Sequence, residues 1–82
     1  MIKIFDVVLT LEPRKLNVGK KRVKVSERVR YWRVLIPFDY GIITQEIIVR
    51  FNVDRNEFCI DYSILNTYDD KKDFVIRFEL LV

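Results

Sequence analysis

Histidine and alanine are both missing from the 82 residues, and cysteine occurs once, as Cys59. A single thiol excludes a disulfide within the chain. Without histidine the usual Cys/His zinc sites cannot be assembled, nor can a Cys-His or Ser-His-Asp nucleophile. The expectation is a non-enzyme without cofactor or metal. The glycines number two, too few for a phosphate-cradling loop, which needs several ahead of a helix. No run of 18 apolar residues occurs, so no membrane-spanning helix is expected. The apolar opening from Met1 to Leu11 carries Lys3 and Asp6. It has no charged lead before an apolar stretch and no small-residue cleavage site, so it reads as a strand and not a signal peptide, with a cytoplasmic location expected.

What is present points to β structure. Half of the residues are hydrophobic and a third are charged, the mark of a folded chain. The apolar set is dominated by 10 Ile and 11 Val, and β-branched residues favour strands where alanine favours helices. Scarce Gln and Cys beside abundant Lys, Arg, Ile and Val give the composition a thermophile-like cast. The length holds one domain, residues 1–82. A chain of this size buries only about 60% of its unfolded surface, so help from a second copy is expected.

Five strands are marked by a period of two. Ile2 to Leu11 is apolar on both parities, as in a strand buried on both sides or lying in an interface. A long run from Arg22 to Ile36 places Val23, Val25, Val29 and Tyr31 on one face and Arg22, Lys24, Arg28, Arg30 and Trp32 on the other. Its parity changes at Val34, which predicts a bulge near Tyr31 to Arg33. The three later runs alternate cleanly. Their inward sets are Ile43, Ile47, Val49, Phe51 and Val53, then Phe58, Ile60, Tyr62 and Ile64, then Phe74, Ile76, Phe78, Leu80 and Val82. Asp54 to Glu57 reads as a hairpin turn with Asn56 at positive φ, and Pro37 to Gly41 as the turn before the third run. The predicted fold is all-β: about five antiparallel strands in a strongly curved sheet or small barrel, SH3-like or OB-like, or a strand-swapped dimer.

Charge is concentrated. Residues 13–33 hold nine basic side chains and one acid, Glu27, a net +8; the whole chain is +3, so the remainder carries −5. Clustered Lys and Arg neutralise phosphates and release counterions, the main source of non-specific nucleic-acid affinity. The candidate surface comprises Lys20, Lys21, Arg22, Lys24, Arg28, Arg30 and Arg33, with Trp32 as the ring that stacks on a base. The competing reading is a solvated face that guards a strand edge, with Trp32 in the core. The segment from Glu12 to Arg22 reads as a basic arm or a plain hairpin loop. Asp69, Asp70 and Asp73 read as a solvated turn, and Cys59 as a small half-buried filler.

The stretch "VKVSERVRYWRVLIPFDYG" resembles the swapped-hairpin, AbrB-like DNA-binding domains through Val23 to Ser26 and Ile36-Pro37. It spans under a quarter of the chain, its spacing is longer than in those domains, and the short helix they place after the proline is nearly lacking here. The resemblance implies DNA binding and dimerisation by strand exchange. The function expected is therefore a small basic nucleic-acid-binding protein, DNA ahead of RNA, acting as a regulator or architectural factor. The alternative is a protein–protein interaction module that uses the same basic face, for an acidic partner, or a free strand edge.

Overall fold

The computed structural model describes residues 1–36 and 45–82; the turn expected at Pro37 to Gly41, and Ile43, lie outside them. Six antiparallel strands occur and no helix is present among the described residues: β1 (Ile2–Leu11), β2 (Lys15–Lys24), β3 (Tyr31–Leu35), β4 (Gln45–Asn52), β5 (Glu57–Asn66) and β6 (Lys72–Leu81). They form two three-stranded sheets, sheet A in the order β1-β6-β3 and sheet B in the order β2-β5-β4. The expected count of five and the single curved sheet or closed barrel are thus corrected to six strands in two sheets.

The discrepancy has one source. The run from Arg22 to Ile36 is two strands and not one. β2 ends at Lys24 in sheet B, residues 25–30 cross over, and β3 begins at Tyr31 in sheet A. The expected bulge is absent, because β3 pairs with β6 in unbroken register from Tyr31↔Leu81 to Leu35↔Arg77. The parity change belongs to the crossover. Tyr31 is consequently exposed instead of sharing a face with the half-buried Val23, Val25 and Val29. The expected basic arm is likewise replaced by structure: a tight corner at Arg14, with φ 52°, leads straight into β2.

Apolar inward faces hold the sheets together. β1 contributes Val7, Leu9 and Leu11, β5 Phe58, Ile60 and Ile64, and β6 Phe74, Ile76, Phe78 and Leu80, all buried. The two central strands, β5 and β6, thus supply most of the core, from the inward sets that the alternation marked; Val53, expected inward with the run before them, is instead exposed just beyond the end of β4. Phe58 joins the sheets: its ring lies 4.6 Å from Phe78 and 5.2 Å from Trp32 of sheet A, and 4.8 Å from Phe51 of its own sheet. Tyr62 crosses to Gly19 directly opposite in β2; a Cβ at Gly19 would stand 2.7 Å from the ring's Cζ. Only a residue without a side chain lets the ring lie there.

Both ends of the sandwich are tied by hydrogen bonds. At one end the buried Asn66 donates from Nδ2 to the carbonyls of Leu11, Glu12 and Asp70 and accepts from the Tyr68 amide. Arg14 reaches the Thr67 carbonyl and Asp69. Asp70 meets Lys72, and Asp73 accepts from Thr10, so the acidic turn is spent on local contacts. At the other end Asn56, at φ 51° as predicted, donates to the carbonyls of Val25 and Glu27. That contact pins the β4–β5 turn against the crossover.

Candidate nucleic-acid interface

Strand alternation decides where each basic side chain points. On β2 the residues Lys20, Arg22 and Lys24 share the outer face of sheet B, because Gly19 and Val23 point inward. The register sets their neighbours. Lys20 stands opposite Asp61 and, one strand further, Ile48; Arg22 stands opposite Cys59 and Arg50; Lys24 stands opposite Glu57 and Asn52. Asp61 takes two cations, Lys20 at 3.6 Å and Arg50 in a short contact. Arg22 and Lys24 are exposed and form no ion pair among the described residues.

The remaining candidates separate. Lys21 sits on the free edge of β2 and donates from Nζ to the Val8 carbonyl of β1 at 2.9 Å, bridging the two sheets. Arg28 and Arg30 are exposed on the crossover, without ion pairs among the described residues. Arg33 lies on the outer face of sheet A, paired with Glu79 at 2.8 Å. Trp32 points inward and meets Phe58 edge-on, with an interplanar angle of 82°. It occupies the core position that the sequence left open as the competing reading, and does not share a face with Arg22 and Lys24. Of the residues that carry the sequence resemblance, Val23 and Lys24 close β2, whereas Val25 and Ser26 lie in the crossover.

Two residues escaped the sequence reading. Arg50, on β4, and Arg55, in the β4–β5 turn, lie outside residues 13–33, yet both line one depression with Arg22. Phe51, Asn52, Glu57 and Cys59 complete it. Arg55 also has no ion pair among the described residues. The signal for Arg50 was in the sequence, as a polar residue on the outward parity of its run. Its neighbourhood with Arg22 depends on β5 lying between β2 and β4.

The outer face of sheet A differs. Ile2, Ile4, Val8, Tyr31, Leu35 and Leu81 are exposed there, and its charges close on one another. Arg77 donates to both oxygens of Asp6, at 2.9 and 3.0 Å. Those hydrogen bonds hold the Asp6 carboxyl below its ordinary value of 3.8, against a smaller upward effect of desolvation.

No protein family, curated protein or solved structure matches the chain. No helix among the described residues is long and apolar enough to cross a membrane.

Proposed function

We propose that this protein is a non-catalytic nucleic-acid-binding domain that grips phosphates with the outer face of sheet B. The observation that carries the reading is the set of unpaired cations on one face: Arg22 and Lys24 have no acidic partner among the described residues, while Asp61 is already held by Lys20 and Arg50. Arg28 and Arg30 extend the positive surface along the crossover. DNA is favoured over RNA for two reasons. The outward positions of sheet B hold no aromatic ring among the described residues, and single-stranded RNA is read largely by stacking its bases on such rings. A row of cations on one strand face instead suits a duplex backbone, in the manner of an architectural factor or regulator. The test is a titration against duplex DNA, single-stranded DNA and RNA at two salt concentrations. Duplex DNA should bind most tightly, with log affinity falling by about 0.9 per phosphate contact for each decade of salt. No binding to any of them at low salt would leave the protein-interaction module as the better account.

A second reading rests on sheet A, and concerns a second copy of this chain. Its outer face combines exposed apolar side chains with two ion pairs closed inside the face, and the remaining acid, Asp73, sits at the start of β6 and is held by Thr10. Two such faces can therefore meet on their apolar side chains with that acid left at the rim. The chain measures 40 × 21 × 16 Å, and a broad face of that outline is comparable with the about 800 Å² per partner of a standard interface. β1 pairs with β6 of its own chain along its whole length, which favours face-to-face docking over strand exchange. Sedimentation equilibrium should show a dimer that Ile4→Lys converts to monomer; a wild-type monomer at high micromolar concentration would remove this reading.

A further inference from the structure

We infer that the depression walled by Arg22, Arg50 and Arg55 is a seat for one phosphate of a bound nucleic-acid strand; this rests on the nucleic-acid reading above and names its anchoring site. Three structural elements deliver the three guanidinium groups. Arg22 comes from β2, Arg50 from β4 and Arg55 from the turn between β4 and β5. Cys59 of β5 lies between Arg22 and Arg50 in register. Strands two apart are separated by about 10 Å, a gap that two arginine side chains reach across from either side. A small side chain at position 59 leaves the space between them open.

Gathering three like charges is unfavourable unless something neutralises them. The wall contributes one carboxylate, Glu57. Asp61 beside it is shared between Arg50 and Lys20, and Arg22 and Arg55 have no acidic partner among the described residues. The seat therefore keeps an excess of positive charge in planar forks, the donor geometry that matches a phosphate's oxygens. Its setting argues for a phosphate in a chain. Lys20 and Lys24 flank Arg22 on the same face of β2, each two residues away, or about 6.6 Å along the strand. A row of cations meets successive phosphates, whereas an isolated phosphate would use only the middle of it. The turn that carries Arg55 is held in place: its own amide donates to the Asn52 side chain, and Asn56 is bonded to the crossover.

Cys59, the one thiol in the chain, reports on the seat from its floor. The experiment follows its alkylation by neutral iodoacetamide in the intact protein, with inorganic phosphate, with sodium chloride at matched ionic strength, and with a short DNA duplex. Phosphate and duplex should slow labelling where chloride does not. Arg22→Gln and Arg55→Gln, both exposed positions, should leave the melting temperature near wild type and abolish the protection. Each should weaken duplex binding about tenfold, the effect of losing a hydrogen bond to a charged group, and Arg55→Gln should lower the salt slope by about 0.9. Duplex binding measured by anisotropy, with labelling unchanged and with both variants binding like wild type, would overturn the seat and leave the nucleic-acid reading standing. Protection by phosphate in a protein that binds no nucleic acid would overturn that reading and this inference together, leaving a site for a free phosphate. Equal protection by chloride would reduce the effect to screening and overturn the inference.

Discussion

On the outer face of sheet A, Asp6 pairs with Arg77 and Arg33 with Glu79, and apolar side chains fill the space between. On the outer face of sheet B, Asp61 is divided between Lys20 and Arg50, Glu46 and Glu57 form no ion pair among the described residues, and Arg22 and Lys24 are left to solvent. Both faces arise from the same alternation, and each belongs to a three-stranded antiparallel sheet with its inward side in the shared core. They differ in which strands flank the centre. β6 has as neighbours β1 and β3, which bring one acid and one base to answer its Arg77 and Glu79. β5 has as neighbours β2 and β4, which bring four bases, Lys20, Arg22, Lys24 and Arg50, and one acid, Glu46, to face its Asp61 and Glu57. The core therefore serves as a common support, and the partners proposed for the two faces differ accordingly: a second copy on A, a polyanion on B.

The strongest way to break this arrangement is to remove its common support. Phe58 touches both sheets, and Phe58→Ala should cost about 3–5 kcal/mol of folding stability, seen as a large fall in melting temperature and as loss of both surfaces at once. A more local change is Gly19→Ala, which forces the Tyr62 ring away from β2 in sheet B. It should cost about 1–3 kcal/mol, in the range of overpacked cores. Chemical denaturation would measure it; a wild-type midpoint would show that Tyr62 swings aside freely.

A charge comparison sharpens the contrast without touching the core. Removing the unpaired pair together, Arg22→Ala with Lys24→Ala, should flatten the salt dependence of DNA binding by about 1.8. Arg33→Ala, which removes a paired base from sheet A, should leave that slope unchanged. Equal effects from the two variants would mean that the faces do not differ in their access to phosphate. The smallest effect concerns acid. With its folded value lowered, the Asp6 carboxyl contributes stability that is fully present above its unfolded value near 3.8 and is lost as pH falls through the lowered folded value. Asp6→Asn should therefore melt slightly below wild type at neutral pH, and the gap should close as the pH drops below that window. A gap that persisted in strong acid would show that the pair with Arg77 is not its source.

By itself the sequence determined that this chain is built of antiparallel strands, and which side chains of β5 and β6 face inward. Alternation is a property of the extended backbone, so the inward set from Phe58 to Ile64 and from Phe74 to Leu80 is readable from neighbours two residues apart. The turn at Asn56 is local in the same way, since asparagine tolerates positive φ. Only the tertiary structure decided that residues 22–36 make two strands in different sheets, because the break at residues 25–30 is stabilised by Asn56 and Lys3, which are distant in sequence. It decided too that Trp32 belongs to Phe58. It brought Arg50 and Arg55 beside Arg22 as well. Which strands become neighbours depends on packing one inward face against another across the whole chain, and the period of two within any single strand carries no record of that choice.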